Sequence, residues 1–127
     1  MGYESKLYVV EKTGCIDDFN GKSKRYARVI AMFDMCRIDF LSEALREAPE
    51  TDCYVYADDG NTPILKDCYD KPLTEVSIDE AVDILYASSV EGETYRRIYP
   101  VLSCLKTFSD QQKNGVWKNL VVLHYGY

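Results

Sequence analysis

Polar and apolar side chains alternate in two stretches within the first 35 residues of the chain. Residues 3–11 show the period of two that is typical of a half-buried β-strand, and residues 25–35 repeat it. We expect these two strands to pair as a hairpin. Residues 13–24 between them combine turn-forming glycines with charged side chains, which predicts a mobile surface loop.

The middle of the chain changes to shorter elements. Residues 39–48 have good helix formers with apolar positions at helical spacing, and Pro49 ends the pattern. Three short strands are predicted next, at 53–57, 62–67 and 73–76, separated by turns that contain glycine or proline. The middle therefore predicts one short amphipathic helix followed by a meander.

A capping box marks the next helix. Ser77 is followed three residues later by Glu80, and apolar residues at helical spacing extend over 78–89. A second helix is expected to continue to about residue 112, with Pro100 either kinking it or beginning its main part.

The strongly apolar residues 116–127 predict a final strand. The predicted strands and helices do not alternate regularly along the chain, which favours an α+β over a parallel α/β fold. With 127 residues and 46% hydrophobic side chains, the chain suits one core. We expect one α+β domain over 1–127, a mostly antiparallel sheet with two to three helices packed on one face. The absence of a long apolar run or a signal-like start predicts a cytoplasmic protein without a membrane partner.

Residues that could carry chemistry are few. Five cysteines without CxxC spacing indicate free thiols, and His124, the only histidine, lies in an apolar run typical of a packed side chain. The segment 58–61 resembles part of a calcium loop but lacks its full ligand pattern, so a hairpin turn is the better interpretation. We therefore expect a non-enzymatic protein without a metal or cofactor.

Charge is segregated along the chain. Residues 39–93 hold fifteen carboxylates and three cations, whereas the segments before and after carry more cations than carboxylates. A negatively charged surface repels nucleic acid and attracts the basic grooves of proteins that bind nucleic acid. We expect a partner-binding acidic face, and not direct nucleic-acid binding, at Asp58, Asp59, Asp67, Asp70, Asp79, Glu80 and Asp83.

An alternative site uses the basic residues. Arg25, Arg28, Arg96 and Arg97 could meet the phosphate of a small nucleotide, although no glycine-rich phosphate loop is present. Eleven tyrosines fit either half-buried positions on sheet faces or a protein interface.

Three stretches carry a resemblance. Residues 2–12 (GYESKLYVVEK), 56–64 (YADDGNTPI) and 119–127 (NLVVLHYGY) are similar to segments of small proteins of unknown function encoded by phages and prophages of Gram-positive bacteria. The resemblance implies the context of a phage or prophage accessory protein that acts on the host. Together with the acidic segment, the tyrosines and the lack of a catalytic set, it leads us to expect a protein of the host cytoplasm, an anti-defence, anti-CRISPR-like inhibitor that blocks a basic nucleic-acid-binding host protein. A small-nucleotide sponge and a phage structural or assembly component remain alternatives, and the oligomeric state is open.

Overall fold

The protein is one small α+β domain, which confirms the predicted fold class. The computed structural model describes residues 5–34, 44–88, 93–111 and 120–126, with the side chains of 87, 88 and 93–97 outside that description. The strands are β1 (Ser5–Phe19), β2 (Lys22–Asp34), β3 (Cys53–Tyr56), β4 (Pro63–Ile64), β5 (Thr74–Ser77) and β6 (Leu120–Gly126). The helices are α1, described at 44–46, α2 (Ile78–Ser88) and α3 (Glu93–Gln111).

The six strands form a mixed sheet in the order β4-β3-β2-β1-β6-β5. Its pairs are antiparallel except for β2 and β3, which run parallel because the chain between them passes through α1 before returning to the sheet. The first and last strands of the chain are neighbours in the centre of this sheet.

The predicted loop at 13–24 was wrong. β1 and β2 continue through that segment as a long hairpin arm, and only Asn20 and Gly21 separate them. Both turn residues have positive φ, 52° and 86°, which is the backbone of a type I′ turn and matches the twist of paired strands. Asp17 faces Lys24 across the arm, so polar cross-strand pairs replace the apolar alternation that marks a half-buried strand.

The sheet curls back on itself. Beyond β5, Glu50 forms a bridge with Thr74, and the Thr51 backbone N–H donates to the Leu73 carbonyl at 2.9 Å. The same segment also contacts β2 on the other side of the sheet, where the Arg25 backbone N–H donates to the Asp52 backbone carbonyl at 2.8 Å. These bonds join β5 to β2 through the residues before β3 and make a partly closed barrel.

Two hydrophobic clusters follow from this curl. Leu7, Val9 and Val122 face α2 and α3, whereas Val10 and Leu123 point into the interior of the curled sheet. β1 is therefore covered on both faces, where the alternating pattern predicted a strand covered on one.

The boundaries of the two long helices are close to the sequence prediction. The helices predicted at 78–89 and up to about 112 are present as α2 and α3, and Pro100 lies inside an uninterrupted α3. The strand predicted at 62–67 is only two residues long. The predictions at 39–43 and 116–119 lie outside the described residues. No helix in the described part of the chain is long and apolar enough to cross a membrane.

Candidate functional site

The exposed side of α2 carries the clearest group of predicted site residues. The Glu80 backbone N–H donates to the Ser77 hydroxyl at 3.1 Å, so the last residue of β5 caps the helix, as the capping box predicted. Asp79, Asp83 and Tyr86 occupy positions i, i+4 and i+7, which lie above one another on a helix, and all three are exposed. We call these three residues the α2 stripe.

The opposite side of α2 anchors the stripe. Ile78, Ala81, Val82 and Leu85 are buried in the core between the sheet and the helices. Because these four positions hold the helix on the sheet, the carboxylates of the stripe are fixed relative to the domain.

α3 supplies the neighbours of the stripe. The Lys106 ammonium lies 3.7 Å from the Asp79 carboxylate and 3.6 Å from that of Asp110. The Tyr86 ring lies 5.8 Å from that of Tyr99, and 66% of the Tyr86 residue surface stays exposed. The stripe thus offers negative charge beside a large amphipathic ring.

Asp58 and Asp59 lie in the turn after β3, and Asp59 organises it. Its carboxylate accepts hydrogen bonds from the Thr62 hydroxyl at 2.6 Å and from the Asn61 and Thr62 backbone N–H groups. These bonds, that of the Thr62 hydroxyl first, lower the pKa of Asp59. Since they satisfy the carboxylate locally, the turn explains Asp59 without a ligand.

Asp67 and Asp70 lie in a second turn. One Asp67 oxygen accepts from the backbone N–H groups of Tyr69 and Lys71, and Asp70, with φ of 63°, lies 3.4 Å from the Lys66 ammonium. These carboxylates also have local structural partners.

The structure separates the acidic turn after β3 from the α2 stripe. β5 runs opposite to β3, because β3 is parallel to β2 while each step from β2 through β1 and β6 to β5 is antiparallel. Asp58 follows the end of β3 and Asp79 follows the end of β5, so they leave the sheet at opposite ends. The seven predicted acidic residues therefore do not form one continuous face.

The predicted basic site is not assembled as a group in the described residues. Arg25 is used inside the fold, donating from Nη1 to the Thr13 carbonyl at 2.8 Å. Arg28 is exposed and lies opposite Glu11 in the hairpin. The side chains of Arg96 and Arg97 lie outside the described residues.

A different set of cations lines a cavity of about 250 Å³ between the hairpin arm and residues 65–72. Lys22 and Lys24 come from β2, and Lys66 follows β4. Lys22 and Lys24 are close together in the sequence, beside the predicted Arg25 and Arg28, and form one basic cluster with them. The sequence did not indicate Lys66, because Lys66 reaches the other two lysines only through the tertiary fold.

A polar cluster lies where β1, β3 and β5 meet. Asp52, Cys53 and Glu75 offer ligand atoms within 4.8 Å of one another, but the Lys12 ammonium lies 2.9 Å from Glu75 and 3.3 Å from Asp52. Lys12 thus supplies positive charge to this cluster, together with Arg25, whose Nε lies 3.9 Å from Asp52. Burial is the largest single effect and acts to lower the pKa of Lys12, but the hydrogen bonds and charges of Glu75, Cys53 and Asp52 together outweigh it and raise that pKa. Burial raises the pKa of the Cys53 thiol to about 11, which keeps it protonated.

His124 is packed and hydrogen-bonded in β6. Its Nε2 lies 3.0 Å from the Ser5 hydroxyl, and the residue is only 3% exposed. Burial, followed by the charge of Arg46, lowers the pKa of His124 to about 4, so the imidazole is neutral at physiological pH. A neutral, buried pair of this kind is suited to holding the strands at the two termini together.

No protein-family model matches the chain, and comparisons with curated proteins and with solved structures find no match.

Proposed function

We propose that the protein is a non-enzymatic phage or prophage accessory protein that binds a host protein through the α2 stripe. The partner has a basic nucleic-acid-binding surface, and the protein acts as an anti-defence, anti-CRISPR-like inhibitor by occupying that surface. The observation that carries the proposal is the exposed stripe of Asp79, Asp83 and Tyr86 on a helix whose opposite side is buried.

Charge and shape of the stripe support this choice. Carboxylates in the first turns of a helix are stabilised by its macrodipole, which explains Asp79 without a partner. The Tyr86 ring contacts Tyr99, yet 66% of the residue surface stays exposed, and tyrosine is enriched at interface centres because it offers a rigid apolar area with a polar tip. The acidic excess of residues 39–93 adds long-range attraction toward a basic groove.

The test is a binding measurement against two purified proteins with basic nucleic-acid channels, a Cas9-type nuclease and a restriction endonuclease, from 50 to 500 mM NaCl. We expect micromolar or tighter binding to at least one, weakening steeply with salt because the contacts are ionic. Asp79→Asn with Asp83→Asn should weaken binding about tenfold or more, since each lost charge pair removes about 1 kcal/mol.

The matched control is Asp58→Asn with Asp70→Asn, which changes the net charge by the same amount outside α2. It should leave binding within about threefold, because screening reduces the influence of distant charges. Binding to neither protein, or an affinity unmoved by salt, would contradict the proposal. Equal losses in both double variants would show that net charge, rather than the stripe, controls association.

A further inference from the structure

The cavity between the hairpin arm and residues 65–72 has a charge opposite to that of the chain. Its lining contains three lysines, Lys22, Lys24 and Lys66, and one carboxylate, Glu50, within a protein of net charge −6. Cations converging on a concave surface concentrate anionic ligands there. The cavity is therefore a candidate site for an anion.

Two of the lysines are held in place by the fold. Lys24 Nζ donates to the Thr51 carbonyl at 3.0 Å and lies 3.5 Å from Glu50, and its side chain is only 15% exposed. Lys66 is paired with Asp70 at 3.4 Å. Lys22 is exposed and has no ion pair within the described residues, so its charge is the one most available to a ligand.

Apolar groups form the rest of the wall. Phe19, Leu65 and Pro72 line the same cavity, and the Phe19 ring is braced edge-on against Tyr54 with centroids 4.9 Å apart. A fixed aromatic ring beside apolar side chains suits a flat ring of a ligand, because stacking adds to burial without a large loss of conformational freedom.

A second, open concavity of about 400 Å³ adjoins the first and shares Lys22, Lys24 and Glu50 with it. It also contains Asp52, whose carboxylate lies 3.3 Å from the Lys12 ammonium and 3.9 Å from Arg25 Nε. Together the two cavities provide an apolar compartment, a cationic boundary and further polar space. A lone phosphate would use only the boundary, whereas a molecule with a ring and a phosphate would use all three.

We propose that this pair of cavities binds a nucleoside phosphate. The base lies against Phe19 and Pro72, the phosphates lie at Lys22 and Lys24, and Glu50 accepts a hydrogen bond from a ribose hydroxyl, as carboxylates do in dinucleotide-binding folds. The site uses none of the α2 stripe, so it is independent of the proposed protein-binding surface.

The experiment is isothermal titration calorimetry of the full chain with each of the four ribonucleoside triphosphates, with adenosine and inorganic phosphate as partial ligands. We expect at least one triphosphate to bind and both partial ligands to bind at least tenfold more weakly, because each reaches only part of the site. Lys22→Gln should weaken triphosphate binding about tenfold, as should Phe19→Leu, through loss of one charged contact and of stacking respectively.

Lys106→Gln is the matched control, since it removes one lysine charge on α3, away from the cavity, and should leave the affinity within about twofold. Lys22 is exposed and outside the core, so Lys22→Gln keeps the test valid if Phe19→Leu unfolds. No binding of any triphosphate at 1 mM would overturn the proposal. Inorganic phosphate binding as tightly as the triphosphates, or equal losses in the Lys22 and Lys106 variants, would overturn it as well.

Discussion

His124, the only histidine of the chain, lies buried in β6. Its place in an apolar run predicted a packed side chain, and the structure buries it beside Ser5. The bonding partner lies 119 residues away in sequence, and it follows from the pairing of β1 with β6 rather than from any local motif. The sequence pattern indicated that His124 would be buried. Only the tertiary structure shows that Ser5 is the hydrogen-bond partner that satisfies its buried ring nitrogen.

Burial of His124 predicts a pH-dependent stability. Its folded pKa, about 4, lies below the ordinary 6.5, so between these values the unfolded chain binds a proton that the folded protein excludes. The stabilisation is complete above pH 6.5 and is lost as the pH falls toward 4. From pH 7 to pH 5 we expect this residue to account for a loss of about 2 kcal/mol in the free energy of unfolding.

Urea denaturation of the wild type and of His124→Asn at both pH values measures this contribution. The variant lacks the titrating imidazole, so the difference between the two proteins isolates it from the titration of the carboxylates. Identical pH dependence in the two proteins would contradict a buried neutral His124.

At the scale of elements, local patterns predicted α2, α3 and the alternating parts of β1 and β2. They failed at 13–24 because the hairpin arm has exposed residues on both sides, so no apolar periodicity marks it as a strand. The Asn20-Gly21 pair was a sufficient hairpin signal, but the polar residues around it outweighed that signal in the prediction.

The turn of the hairpin arm can be tested with two glycines. Gly21 has φ of 86°, a region that disfavours residues with a Cβ, so Gly21→Ala should cost about 1 kcal/mol of stability. Gly14, also in the arm, has no positive φ and open space where a Cβ would stand. Gly14→Ala is therefore the control and should change the free energy of unfolding by less than about 0.5 kcal/mol. Thermal unfolding of both variants provides the comparison, and an equal loss in the two would argue against the type I′ turn.

For the whole molecule, the closure of the sheet decides which surfaces are buried. The interior cluster is enclosed where residues 49–52 join β5 to β2 on the other side of the sheet. The same closure places Glu50 beside Lys24 and opens the lysine-lined cavity next to them. The acidic middle of the chain, continuous in sequence, is divided because β3 and β5 run in opposite directions and end at opposite ends of the sheet.

If the protein unfolds as one cooperative domain, truncating a core side chain in either hydrophobic cluster should destabilise the whole molecule. Leu123, in the interior cluster, and Leu102, in the helix-side cluster, are both 0% exposed. Leu123→Ala and Leu102→Ala should each lower the free energy of unfolding by about 2–5 kcal/mol, whereas Ile16→Ala, at a residue 58% exposed, should lower it by less than about 0.5.

Urea unfolding followed by far-ultraviolet circular dichroism and by tyrosine fluorescence provides the measurement. Coincident transitions are expected in all three variants, because the two clusters share β1 and β6. Separate transitions for the two probes would contradict a single cooperative unit.

By itself, the sequence determined the α+β class, the capped start of α2, the turns at 58–61 and 69–72, and the segregation of charge. Each depends on neighbours within a few residues, where capping, turn chemistry and periodicity act. The tertiary structure alone decided the curl of the sheet, the isolation of the α2 stripe from the acidic turns, and the meeting of Phe19, Lys22 and Lys66 around one cavity. Those features join residues far apart in the chain, and their energy comes from packing the whole domain, which no local pattern encodes.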